Sequence, residues 1–380
     1  MLKNTIIAVV VIVIIGAIAW YGWSNKSAGT DLAEGEPIKI GVISPMTGDG
    51  AVYGEPYVNI LRLAADEINV AGGIDGHDVE LIVEDGKCSG ASAASAAQKL
   101  VNVDKVQIII GGICSSESLA VIPVAEQSKV IVFSPGSSSP DLTDASKFFV
   151  RNYPSDNTQG IVLAKAALER DMKKVAFMQE QTDYAIGIFN SFSGEFENGG
   201  GAVVNETYVS ETSDFRSQLN KLKAENPDAL FLDVQTPAAA QRILKQLIEL
   251  NWKPQIIFSD VASDPATVAS APTLTEGALS AQYGINPGNT KFESLKSNYT
   301  AKFGGELPFP SYAQTEYDAL YLIRDAVEEV GYSGEKVAKW LRGVKNWEGA
   351  SGLTTIKSNG DRDGGHVLNV VKNGVTVPVE

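Results

Sequence analysis

Short apolar runs alternate with amphipathic helical stretches, and the alternation occurs twice; no other feature constrains the fold of this chain so strongly. The first series has runs at Ile38–Ser44, 79–83, 106–110 and 130–133. Helical patterns at 56–71 and 92–101 separate them, with Ile60, Leu63, Ala64 and Ile68 on one face of the first. Runs that are apolar throughout fit strands covered on both faces, as in a parallel sheet. The series restarts with strands expected at 174–178, 202–209, 229–232 and Gln255–Phe258, and helices near 186–197, 214–224 and 238–250. Two successive series of this kind predict an α/β chain with two doubly wound lobes. The last third, with helices at 291–303 and 315–330 and hairpin strands within 352–379, does not build a third lobe. It must lie on the first two, so the chain crosses between lobes more than once.

The N-terminus stands apart. Ile6 to Trp23 is uncharged and mostly apolar, follows Lys3, and ends in Trp20, Tyr21 and Trp23. That length and those flanks read as an N-terminal apolar helix, either an uncleaved membrane anchor or a signal cut near Ala17-Ile18-Ala19. No cysteine closes the run, which excludes lipid attachment there. The polar, Gly/Ala-containing stretch 24–36 suits a tether. Both alternatives export the remainder, to the outer face of the membrane or to the periplasm or medium. The net charge of −15 argues against nucleic acid and anionic membrane surfaces as partners. In an exported chain the two cysteines, Cys88 and Cys114, form either one disulfide or two buried thiols.

Ligands of open α/β sheets sit beyond the carboxyl ends of the strands. In the first series those loops carry Tyr53, Ser115, Ser116, Gly136, Ser137 and Ser138; in the second, Tyr184, Gln235 and Asp260. Ser115 and Ser116 stand where a helix should begin, and the free N–H groups there attract a carboxylate. Serines at such a position also simply cap helices. Asp260 would meet an ammonium group from the other side, and Tyr53, Tyr184 and Tyr312 would wall the gap.

Several stretches resemble one family. Residues 68–76 (INVAGGIDG) are similar to the IN-x-x-GGI-x-G signature of the branched-chain amino-acid periplasmic binding proteins, the type I solute-binding proteins of ABC transporters. Residues 114–116 and 134–142 resemble the family's ligand loops, and 214–216 with 226–230 its DF…NPDA stretch. The likeness spans roughly 38–370. It implies two lobes joined by a three-crossing hinge: 37–154 with 286–346, and 155–285 with 347–380. It implies a Cys88–Cys114 disulfide and a carboxylate-binding Ser115. Gly136 and Ser138 would serve the carboxylate and ammonium groups, Tyr53 and Tyr184 would be cleft tyrosines, and Asp260 would stand near the ammonium in place of glutamate. Tyr312 would lie beside the ligand side chain. Gln235 departs from the pattern by replacing an aromatic residue, which weakens the case for a purely aliphatic ligand. The implied role is reversible capture, without catalysis or cofactor, of a small polar molecule, foremost an amino acid, by a monomer that delivers it to a membrane permease. Amides, urea-like compounds and aromatic acids stay open as ligands, as does a sensing role in place of transport.

A nucleotide-dependent enzyme is the rival from another class. Gly48, Gly50 and Gly54 follow a strand and precede a helix, but their spacing is not G-x-G-x-x-G. The histidines, His77 and His366, fall in no catalytic motif. Asn359-x-Asp361-x-Asp363-Gly364 begins like a calcium loop, yet Val370 stands where the closing glutamate belongs, so a turn is expected. Asn25, Asn205 and Asn298 lie in N-x-S/T sequons.

Overall fold

The computed structural model describes residues 32–379. The expected anchor or signal at 1–23 and most of the tether lie outside them. Among the described residues, no helix is long and apolar enough to cross a membrane.

The first lobe runs β1 (Ile38–Ser44), α1 (Ala51–Val70), β2 (Val79–Asp85), α2 (Gly90–Asn102), β3 (Ile108–Ile110), α3 (Ser115–Ser128), β4 (Ile131–Ser134) and β5 (Phe149–Arg151). Its five strands are parallel in the order β2-β1-β3-β4-β5. The chain then crosses over and repeats the plan with α4 (Asp156–Glu169), β6 (Lys174–Glu180), α5 (Asp183–Asn198), β7 (Ala202–Tyr208), α6 (Arg216–Ala224), β8 (Ala229–Asp233), α7 (Pro237–Glu249), β9 (Gln255–Phe258) and β10 (Leu279–Gln282). It returns for α8 (Thr290–Phe303), α9 (Pro310–Val330) and α10 (Gly334–Leu341), which lie on the first lobe. A small hairpin follows, β11 (Trp347–Gly349) and β12 (Gly352–Thr354). The chain crosses a third time, and β13 (Val367–Lys372) and β14 (Val375–Pro378) extend the second sheet antiparallel, giving β14-β13-β10-β9-β8-β6-β7. Ala350 and Ile356 are still buried in the first lobe's core. The chain therefore leaves that lobe later than residue 347, where the sequence placed the change.

Each sheet has apolar clusters on both faces, as expected where the central strands are mostly apolar. In the second lobe Phe177 stacks on Phe231 at 4.4 Å between ring centroids and meets Phe189 and Phe192 edge-on, each at 5.1 Å. Helix α1 begins at Ala51 and carries Pro56 inside it, five residues ahead of the expected start. The extra turn places Tyr53 on the same face as Tyr57. Gly54 also lies within this helix; a Cβ there would come within 2.3 Å of the Pro45 carbonyl oxygen. It serves close packing of the β1–α1 loop, not a phosphate.

A buried acid holds the first lobe's edge. Cys88 and Cys114 form a disulfide with Cα atoms 5.2 Å apart, closing a loop of 26 residues in sequence separation. In the chain-entropy account such a loop contributes roughly 3–4 kcal/mol. Glu117, fully buried on α3, accepts backbone N–H bonds from Cys88, Ile113 and Cys114, each at 3.0 Å. Gly86 and Gly112 leave the room it needs: a Cβ at either would approach the Glu117 side chain to 2.2 Å. Burial pushes the Glu117 carboxyl up to about 7, against the pull of its three amide partners.

Two outcomes follow from this packing. Replacing Phe177 by alanine should cost about 3–5 kcal/mol in urea unfolding; a loss under about 1 kcal/mol would contradict the ring cluster's role. A carboxyl with a folded pKa above its unfolded value binds more protons when folded. Its stabilisation is therefore full below about 4.5 and is lost as pH rises through about 7. Relative to E117Q, the wild type should lose up to about 3 kcal/mol between those pH values. Parallel stability curves for the two proteins would refute the assignment.

Candidate functional site

Both lobes share a topology in which the strand order reverses between neighbours, at β1/β3 in one and β6/β8 in the other. Crevices form at the carboxyl ends of such strands. The two crevices face each other. Tyr53, Ser115, Gly136, Ser138 and Tyr312 from the first lobe meet Tyr184 and Gln235 from the second around one cavity, joined by Tyr57, Ile113, Cys114 and Val261. The cavity holds about 20 Å³, on the order of one water, so the edges nearly touch. Tyr53 donates its hydroxyl to the Gln235 carbonyl across the gap at 2.9 Å.

The first-lobe edge is a braid of hydroxyls. The Ser115 hydroxyl, buried at the start of α3, accepts the Ser139 N–H at 3.1 Å. The Ser134 and Ser137 hydroxyls donate to the Gly112 carbonyl at 2.8 and 2.7 Å, and Ser137 also bonds the Ser118 hydroxyl at 2.7 Å. Ser137 thus faces inward and staples the two loops together. It does not line the cavity, and neither does Ser116. The Ser138 carbonyl accepts the Asp156 N–H, at the first turn of α4, at 2.8 Å.

On the opposite edge Asp260 is only 4% exposed. Tyr153 donates to its Oδ2 at 2.9 Å, Tyr312 donates to the same oxygen, and Tyr184 donates to Oδ1. Burial, and next the Asp260 charge, hold all three phenols well above their usual acidity range, so they remain neutral donors. The ring of Tyr153 stacks flat on Tyr312 at 4.3 Å, and Tyr57 continues the wall to Tyr53. Asp156 and Asp233 are both pushed up, chiefly by burial. Burial pushes His366 down to about 4, which leaves it neutral; its Nδ1 shares a 2.7 Å bond with the Thr158 hydroxyl.

Of the residues singled out from sequence, seven line the cavity and Asp260 stands directly behind its tyrosine wall. Tyr57 and Tyr153 escaped notice. Tyr57 follows Tyr53 by one helical turn, a usable signal once the helix is started at Ala51. Tyr153 lies in a crossing segment, where no periodicity marks it. A larger cavity of about 760 Å³ lies on the first lobe, lined by Val330, Trp340, Trp347 and Lys336, Lys339 and Lys345. It shares no residue with the cleft and has none of the paired edges.

The groups on the two edges match a small zwitterion, for which the edges must part, since the space between them here is about that of one water. Helix-start amides and serine hydroxyls suit a carboxylate, and Asp260 suits an ammonium group. No cationic side chain lines the cavity.

Comparison with known proteins agrees. A family model described as periplasmic binding protein matches residues 37–372. The leucine-, isoleucine-, valine-, threonine- and alanine-binding protein of Pseudomonas aeruginosa is 27% identical, covering 91% of both chains. The Leu/Ile/Val-binding protein of Escherichia coli is 25% identical over 89% of this chain and 91% of its own. Among solved structures, the leucine-binding protein LivK of Thermotoga maritima superposes with a TM-score of 0.82 at 31% identity, covering 90% of this chain and 98% of the other. The two-lobe type I fold expected from sequence is thereby established. This chain belongs to the periplasmic binding protein family, and its work is binding a solute, not catalysis.

Proposed function

We propose that this protein captures a free α-amino acid between its lobes and delivers it to the permease of an ABC importer. The observation that carries this reading is one cavity lined by Ser115 and Ser138 on one side and, on the other, by Tyr184 and Tyr312, whose hydroxyls hold Asp260 directly behind them. The ligand carboxylate lies against the start of α3, the Ser115 hydroxyl, and the hydroxyl and N–H of Ser138. The ammonium group takes a donor place on Asp260, where a charge-assisted bond is stronger than a neutral phenol's. The side chain points among Tyr53, Tyr57, Tyr312, Ile113 and Val261, with the Gln235 amide at its rim. Rings and aliphatic groups with no cation favour uncharged side chains, above all branched aliphatic ones. The names of the relatives above point the same way, as does a Streptococcus pneumoniae homologue solved with isoleucine, 26% identical. An aromatic acid lacking an ammonium group would leave Asp260 without a cationic partner and its own carboxylate facing a like charge. Residues 6–23 would export the protein and hold it at the outer face of the membrane, with 24–36 as tether.

A thermal-shift and calorimetric screen of leucine, isoleucine, valine, aspartate, glutamate and benzoate tests this. The branched amino acids should raise the melting temperature through linkage, and the acidic ones and benzoate should not. D260N should weaken the best ligand by about 30-fold or more, the usual scale for losing one partner of a buried charge pair, and S115A by about tenfold. A D260N protein that binds as the wild type does would remove the ammonium assignment, and a preference for benzoate would overturn the amino-acid reading.

A further inference from the structure

Arg151, the last residue of β5, is fully buried with its charge and does not line the cavity. Its Nε donates to Asp361 Oδ1 at 2.8 Å. Nη1 donates to the Ser139 carbonyl at 2.8 Å and the Ser137 carbonyl at 3.4 Å, and Nη2 donates to the Thr143 hydroxyl at 3.0 Å. Thr143 in turn donates to Asp361 Oδ2 at 2.9 Å. Asn359 orders the acid from behind: its Nδ2 donates to Asp361 Oδ2 at 3.2 Å and its Oδ1 accepts the Asp361 N–H at 3.1 Å. Two backbone bonds fasten the same turn to the first lobe, Arg151 N–H to the Gly360 carbonyl at 2.9 Å and Asp144 N–H to the Asn359 carbonyl at 3.1 Å. The segment that begins like a calcium loop therefore directs its central carboxylate at a guanidinium.

The Ser137 carbonyl and the Ser138 N–H belong to one peptide unit. A cation near that oxygen, 3.4 Å away while its shorter bond holds the Ser139 carbonyl, biases the unit's orientation and increases the donor strength of its N–H. The next unit is held as well, since the Ser138 carbonyl accepts from Asp156. Ser138 is thus aimed by bonds on both sides, one from a buried cation and one from the second lobe.

We propose that Arg151, held by Asp361 of the third crossing, is a positioning residue for the ligand carboxylate: it sets the direction and donor strength of the Ser137–Ser138 peptide at the cleft edge. The assignment rests on the amino-acid reading above, and it ties the crossing between lobes to the loop that meets the ligand.

The test uses the full-length protein and the variant D361N, which keeps the shape and removes the counter-charge, with L-leucine and L-leucinamide as calorimetric probes. A positioning role for the carboxylate predicts a 10- to 100-fold loss for leucine and under threefold for leucinamide, which has no carboxylate. Hydrogen exchange without ligand should quicken at least tenfold at residues 137–139 and stay unchanged around the disulfide. A folded D361N that binds leucine normally, loses both probes equally, or leaves exchange at 137–139 unaltered overturns the proposal. If D361N does not fold, T143V, which removes the hydroxyl shared by Arg151 and Asp361, should give the same pattern at about three- to tenfold for leucine, and its failure to do so is equally fatal. If the wild type binds neither probe, the amino-acid reading fails, and the exchange result alone decides whether Arg151 orders the loop.

Discussion

A carboxylate withdrawn from water must be surrounded by donors or it destabilises the fold by several kcal/mol, and Asp260 is such a carboxylate. Its donors come from three separate parts of the chain: Tyr184 at the start of α5 in the second lobe, Tyr153 in the first crossing, and Tyr312 on α9 in the first lobe. Satisfying one side chain therefore fixes how the lobes meet. A phenol is a neutral donor, and burial beside the acid keeps it so. On the proposed reading, an incoming ammonium group would replace a neutral donor with a charged one at the same place. The exchange is favourable at low dielectric, and it would give the ligand a direct hold on the contact between lobes.

The opposite edge is built to stay put. Ser115 follows Cys114, which is tied to Cys88; Glu117 gathers three amides from the same two loops; and Ser134 and Ser137 fasten the β4 loop to the Gly112 carbonyl. Covalent closure and a buried acceptor acting together leave the α3 start few alternative conformations. Preorganised donors of this kind bind an anion without first losing conformational entropy. On the proposed reading the asymmetry gives the two edges different duties, a fixed seat for the carboxylate and a responsive partner for the ammonium group.

Much of this was legible in the residues and some was not, for identifiable reasons. Strands such as Ile38–Ser44 and Gln255–Phe258 were visible because both faces are buried and most of their residues are apolar. Three-residue β5 and the α4 stretch DNTQGIVLAKAALE were not, the first being too short for periodicity and the second buried through alanine and glycine that blur its apolar face. Pro56 hid the true start of α1, because its missing N–H usually marks a first turn. At the site, Ser115, Tyr184 and Asp260 could be placed from the ends of strands alone. Ser137 could not be told from Ser138, since adjacent serines in a loop differ only in the direction each faces. Arg151 and Asp361 are 210 positions apart, and the turn motif around Asp361 says nothing of a guanidinium partner.

The crossings explain how a local exchange at Asp260 can move whole lobes. Arg362 donates to the Asn152 carbonyl of the first crossing at 3.1 Å, lies over the Tyr283 ring after β10 with its guanidinium carbon 4.8 Å from the centroid, and belongs itself to the third crossing. It also bonds the Ser351 hydroxyl at 2.8 Å, and Asp318 on α9 holds that same residue through its N–H at 2.8 Å. All three strands of chain between the lobes thus meet at one buried cation. In hinge closure φ/ψ changes are confined to a few residues, and a junction packed in this way suits a turn about itself. A rigid-body turn of that kind carries any bias applied at the cleft to the whole outer surface. A ligand shifts the balance only by the difference in its affinity for the two arrangements. If, as proposed, the ammonium group meets Asp260 and the carboxylate meets Ser115, both contacts form together only when the edges face each other, and the second contact would favour closure.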